Sequence, residues 1–142
     1  MFLYYLSTNT LTKLEIPNVY PAQPNFHPNS SEFVFIGYEK TLYKLGLSGM
    51  LNRKTNLYIK SIFSDTIIEI KMHSKFMAGL FPKFSPNGLL ISYFAVPADS
   101  LSHCMCLALI VYNIETMENT IVLDVIEEYN ESFNGIYGYH DH

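Results

Sequence analysis

Charge is scarce in this chain. Only 15% of its residues are Asp, Glu, Lys or Arg, well below the roughly 25% of an average soluble domain. The net charge is a mild −4, and Lys and Arg are scattered, with Arg53 the only arginine. A nucleic-acid surface needs a basic patch, so that class of partner is disfavoured. Cysteine is nearly absent too. Cys104 and Cys106 alone give no disulfide framework, which makes a reducing, cytoplasmic setting the expectation. Long hydrophobic runs are missing: the stretch Cys104 to Tyr112 falls far short of the ~20 residues that span a bilayer. The apolar start, Met1 to Leu6, has no basic region before it and no small-residue cleavage site after it, so it reads as a strand and not as a signal peptide. Helical periodicity is the last absence. No segment keeps a 3.6-residue apolar period with caps, and Glu115 to Glu118 is too short for a helix with stability of its own.

What is present suits strands. Tyr and Phe are abundant, at 11 and 10 residues, and 49% of the chain is hydrophobic, enough for a packed core built from β-forming side chains. Two short stretches repeat one another. Pro24-Asn25-Phe26-His27-Pro28-Asn29 leads into Phe33-Val34-Phe35-Ile36, and Pro82-Lys83-Phe84-Ser85-Pro86-Asn87-Gly88 leads into Leu89-Leu90-Ile91-Ser92-Tyr93-Phe94. At an offset of 58 residues, without a gap, Pro24 falls on Pro82, Phe26 on Phe84, Pro28 on Pro86 and Asn29 on Asn87.

Around each copy the order of elements is the same. Phe2 to Leu6 and Thr12 to Ile16 read as an opening hairpin, and Pro17, Pro21 and Pro24 as a connection, since proline cannot donate to a central ladder. Pro24 to Phe26, Phe33 to Gly37, Leu57 to Phe63 and Thr66 to Ile70 follow as strands, with Tyr38 to Lys54 a long loop. Lys71 to Phe81 links to the second copy: Pro82 to Phe84, a tight turn at Asn87-Gly88, then strands at Leu89 to Phe94, Leu107 to Ile114 and Thr120 to Val125. Four strands per ~58 residues is the plan of a propeller blade with long loops, because known blades run about 40 to 50 residues. The strand cores are apolar without alternation, as a blade needs when it stacks between two neighbours. The fold expected is all-β, about two and a half four-stranded blades of a partial, unclosed β-propeller. Residues 1–16 end one blade, 24–70 form a second, 82–125 a third, and 133–142 begin a further one. A propeller has four to eight blades, so the chain reads as an arc of a larger molecule with apolar surface at both ends.

The segment from Pro24 onward resembles the N-terminal propeller of acylaminoacyl peptidases, also called acylamino-acid-releasing enzymes, in the prolyl oligopeptidase group. The resemblance rests on Phe35-Ile36-Gly37-Tyr38, Lys44-Leu45-Gly46 and Asn52-Arg53-Lys54-Thr55-Asn56-Leu57-Tyr58. Further on it rests on Phe84-Ser85-Pro86, Ile91-Ser92-Tyr93, Cys106-Leu107 with Val111-Tyr112, and Glu131-Ser132-Phe133-Asn134-Gly135-Ile136-Tyr137. It covers roughly residues 20 to 138. Tyr38 stands where tryptophan is usual and Lys44 where arginine is usual. The resemblance implies an enzyme that removes an N-acylated amino acid from a short blocked peptide. A Ser-Asp-His triad in a C-terminal α/β-hydrolase domain performs the reaction, and the propeller covers that active site. This chain would then supply part of the cover, with the hydrolase domain and short N-acylated peptides as its partners.

Chemistry of its own is hard to find. Leu45-Gly46-Leu47-Ser48-Gly49-Met50 approaches a nucleophile elbow, but Met50 replaces the final glycine and no strand and helix flank it. His103-Cys104-Met105-Cys106 lacks the second ligand pair of a zinc site. His140-Asp141-His142 looks like a metal clip at a terminus, and Asp124, Glu127, Glu128 and Glu131 read as a solvated acidic run. Asn29-Ser30-Ser31 and Asn130-Glu131-Ser132 match the glycosylation sequon, which means little without secretion. Arg53 reads as a residue that pins a blade loop, with contact to a peptide terminus or to the hydrolase domain as the alternative. No catalytic, cofactor-binding or metal residue is assigned and no cofactor is expected. The reading is a non-catalytic fragment of the propeller of a serine peptidase. The alternative is a stand-alone interaction scaffold, which would close by forming a homo-oligomer.

Overall fold

The computed structural model describes residues 1–39, 55–97 and 108–124. Every described element is a strand. A hairpin of β1 (Phe2–Tyr5) and β2 (Thr10–Lys13) comes first. One four-stranded antiparallel sheet follows, made in chain order by β3 (Val19–Phe26), β4 (Glu32–Glu39), β5 (Thr55–Ser61) and β6 (Ile67–Ile70). A second has the same meander order: β7 (Phe76–Phe84), β8 (Leu90–Pro97), β9 (Ala108–Asn113) and β10 (Glu118–Asp124). These are two blades of a partial β-propeller, as the repeat predicts.

The repeat persists at the level of single hydrogen bonds. Phe26 pairs with Phe33 in the first sheet and Phe84 with Ile91 in the second. The turn between them is built twice. His27 N–H donates to the Glu32 carbonyl and Ser30 N–H to the His27 carbonyl; Ser85 N–H donates to Leu90 and Gly88 N–H to Ser85, all at 2.8–2.9 Å. The left-handed residue of each turn is Ser30 (φ 58°) and Gly88 (φ 75°). Asn29 and Asn87, preceding them, each accept a backbone N–H two residues on, from Ser31 and Leu89.

Burial explains the unbroken apolar strands. Along β4 the side chains alternate between faces, yet Phe33, Val34, Phe35 and Ile36 are all fully buried. Val34 and Ile36 join Leu57 and Ile59 in a core shared with Ile91, Tyr93, Ala108 and Ile110 of the second sheet. Phe33 and Phe35 turn the other way, onto Ile16, Leu14 and Met1 beside the hairpin. Each such side chain contributes on the order of 1.5–3 kcal/mol of burial. Gly37 marks a close approach, because a Cβ there would meet the Tyr58 ring at 2.5 Å. That ring stacks on Phe35, 5.4 Å between centroids.

Three details differ from the sequence reading. The hairpin closes earlier: β2 is Thr10–Lys13, and Asn9 takes a positive φ of 53° at its turn. The prolines at 21 and 24 lie within β3 and not in a connection. Proline is tolerated there because β3 is an edge strand with one unpaired side. Likewise β7 starts at Phe76, inside the stretch read as a link.

The shared core sets the first expectation. Leu57→Ala, between the sheets, should cost about 2–5 kcal/mol in urea unfolding. Ile68→Ala, on the half-exposed outer strand, should stay within about 0.5 kcal/mol.

Candidate functional site

The feature that draws most side chains together is the seam where the inner strands β3 and β7 run side by side. Both carry a bulge at the same place in the repeat. Pairing slips between Ala22 and Asn25 in β3, and between Leu80 and Lys83 in β7. Each bulge holds a left-handed residue, Gln23 and Phe81, both at φ 52°. A phenylalanine in that region is uncommon and held there by its surroundings. The bulges also bind each other. Phe81 N–H donates to Gln23 Oε1 at 2.7 Å, and Phe84 N–H donates to Asn25 Oδ1 at 3.0 Å. Two backbone donors on the unpaired edge of β7 are thus satisfied by amides of the preceding blade.

The two copies of the repeated motif therefore touch. The His27 ring meets Phe84 edge-on, 4.9 Å between centroids, and lies over Gly88, where a Cβ would collide with it. Farther out, Thr55 Oγ1 donates to the Gly79 carbonyl and accepts from Gly79 N–H, at 3.2 and 3.0 Å. Asn119 ties the outer strand to the link between blades. Its Nδ2 donates to the Lys71 carbonyl at 2.8 Å, and its Oδ1 accepts from the Tyr93 hydroxyl at 2.8 Å.

Burial pushes the Tyr93 phenol far above its ordinary value, while a hydrogen bond with the His73 backbone acts the other way. Burial also raises Tyr112. At the hairpin, the hydrogen bond and charge of Glu15 raise exposed Lys13. None of these groups forms a nucleophile–base pair. What the described seam residues do is join blades.

Of the residues singled out from sequence, Ser48, Arg53, His103 to Cys106, Glu127, Glu128, Glu131 and His140 to His142 lie outside the described residues. Asp124 closes β10. The Asn29 amide is engaged locally, accepting from Ser31 N–H and from Ser31 Oγ at 2.6 Å. Among the described residues no three His, Cys, Asp or Glu side chains gather as metal ligands. No described helix is long and apolar enough to cross a membrane. Sequence reasoning missed Gln23 and Asn25 as seam residues, and it missed Lys60, which is buried at 2% exposure. A lysine inside the run Leu57-Tyr58-Ile59-Lys60 was the available signal.

No protein-family profile matches the chain. Among curated proteins it aligns with the acylamino-acid-releasing enzymes of Homo sapiens and Mus musculus, 29% identical over 121 residues in each case. That alignment covers 84% of this chain but 16% of either relative. The chain resembles the propeller region of the acylamino-acid-releasing enzymes. Solved structures agree on the fold. TolB chains from Agrobacterium tumefaciens and Acinetobacter baumannii superpose with TM-scores of 0.63 and 0.60 at 14% identity, over 87% of this chain and 40% and 26% of theirs. Pyrococcus horikoshii acylaminoacyl peptidase superposes at 0.51 and 13% identity, over 75% of this chain and 14% of that one. The similarity in sequence is thus to acylamino-acid-releasing enzymes, and the likeness to the solved structures is one of fold.

The seam makes two testable statements. Gly88→Ala should destabilise by more than about 1 kcal/mol, through its positive φ and the His27 ring, whereas Ser30→Gly at the equivalent turn position should be neutral or stabilising. Denaturant midpoints of the two variants check this. An unfolded chain releases the Tyr93 proton near pH 10 and the folded chain holds it. Stability from this group is therefore complete below about pH 10 and falls as pH rises above it. Tyr93→Phe should flatten that alkaline loss, leaving the smaller part due to Tyr112; an unchanged slope would assign the loss elsewhere.

Proposed function

We propose that this chain is a non-catalytic part of the propeller of an acylamino-acid-releasing enzyme. In the whole protein that propeller would cover the active site of a serine hydrolase domain and limit entry to short N-acylated peptides. The observation that carries the reading is the alignment with acylamino-acid-releasing enzymes over 84% of this chain and 16% of theirs. The stacked, hydrogen-bonded blades support it, because they suit a rigid cover and contain no described pair able to cleave a bond. A cytoplasmic location goes with this proposal.

Apolar surface at both ends of the stack favours neighbours on each side. Phe2, Tyr4 and Leu11 are exposed on one side of the hairpin, with Tyr4 opposite Leu11 in register. At the far end Phe94 and Leu123 are exposed, each paired with Leu109. Further blades would cover these faces in the first reading. Other copies of the chain would do so in the second, a stand-alone interaction scaffold.

The discriminating experiment is to sequence the transcript beyond the codon for His142. An open frame running through further blades to a Gly-x-Ser-x-Gly elbow, with Asp and His after it, is expected; a stop with no hydrolase frame behind it overturns the proposal. The purified chain alone should release no chromophore from an acetyl-alanine substrate, and turnover blocked by a serine-directed inhibitor would contradict its non-catalytic role. Size-exclusion chromatography should show self-association without a fixed size, whereas one discrete closed oligomer would favour the scaffold.

A further inference from the structure

The ammonium of Lys60 takes no part in the contacts described above between the blades. Lys60 pairs with Phe33 across to β4 and with Ile67 across to β6, so its stem lies on the hairpin side of the first sheet, among apolar side chains. Only 2% of the residue is exposed. Its Nζ donates to the Ser64 carbonyl at 3.1 Å. Among the described residues that is its only partner, and no carboxylate lies within ion-pairing distance. An ammonium has three donors, and a buried charge without a counter-charge is costly. Two donors and one full charge are left to be met.

A cleft of about 450 Å³ opens beside it, between the end of the hairpin and the β5–β6 turn. Lys60 shares its walls with Leu14, Ile62 and Phe63 on the apolar side and with Thr12 and Ser64 on the polar side. The volume lies within the range of small-molecule sites, roughly 300–1,000 Å³. Lys13 also lines the cleft, but its ammonium is matched by Glu15 at 2.8 Å. Asp65 completes the wall as a second carboxylate.

We propose that this cleft is a binding site for a small monocarboxylate with an aliphatic body, held by the Lys60 ammonium. One buried cation with spare donors fits one carboxylate, whose oxygens accept charge-assisted hydrogen bonds. With Glu15 and Lys13 cancelling one another, Asp65 on the same wall disfavours a ligand of higher negative charge, which selects against phosphates and dicarboxylates. Leu14, Ile62 and Phe63 supply surface for a short branched alkyl chain. The proposal is independent of the role suggested for the propeller, since it uses only the hairpin and the first blade.

Ligand-observed saturation-transfer NMR tests it and tolerates self-association of the protein. The probes are isovalerate and its uncharged counterpart isovaleramide. Isovalerate should bind saturably, at least five-fold more tightly than the amide. Lys60→Met, which keeps the stem length, should abolish that preference, and Lys13→Met should leave it intact. Equal binding of acid and amide overturns the proposal, as does a preference that survives in Lys60→Met or vanishes in Lys13→Met. Should Lys60→Met fail to fold, the acid–amide contrast in the unaltered chain and in exposed Lys13→Met still decides the matter.

Discussion

Each sheet in this molecule has two apolar faces and no means of covering both by itself. That constraint organises everything else. Val34 and Ile36 can be buried because Ile91, Tyr93 and Ile110 present a matching face; Phe33 and Phe35 can be buried because Ile16, Leu14 and Met1 come back across the other side. A strand that buries every residue needs a neighbour in both directions, and a stack of such sheets is stable only as a stack. The short loops and turns matter chiefly because they hold consecutive sheets in line.

Apolar stacking sets no register between blades, and the inner edge supplies it. Gln23 and Asn25 each give an oxygen to a backbone N–H of β7, and Thr55 closes a two-way exchange with Gly79. These bonds have directions and fixed distances, so they lock one sheet against the next where hydrophobic contact alone would let it slide. Because they satisfy edge donors that would otherwise be exposed, they also blunt a surface prone to unwanted pairing.

Much of this was legible in the sequence. The 58-residue offset marked the repeat that both sheets show, and Asn87-Gly88 was read as a tight turn; the structure adds that Ser30, which falls on Gly88 at that offset, is left-handed as well. Unbroken runs such as Phe33-Val34-Phe35-Ile36 announced two-sided burial. Less legible were the inner strands. Pro21 and Pro24 read as breaks because a proline rule made for central strands was applied to an edge, where no donor is missed. The amides of Gln23 and Asn25 gave no signal, since their partners are backbone groups 58 and 59 residues away. Lys60 was hidden for a different reason: alternation tells which face a residue occupies, not whether its charge finds a match there.

The bulge at the inner edge is where the two blades cease to be interchangeable. Position 23 is glutamine and position 81, its equivalent, is phenylalanine; position 25 is asparagine and position 83 is lysine. The first blade therefore offers two acceptors to whatever follows it, and the second offers a bare ring and a cation. A strand suited to lie against β3 finds no such welcome against β7. The backbone repeats faithfully while the side chains on it change, so the junction of β3 with β7 is marked by a pair of amides, Gln23 and Asn25, that the second blade does not carry at the equivalent positions.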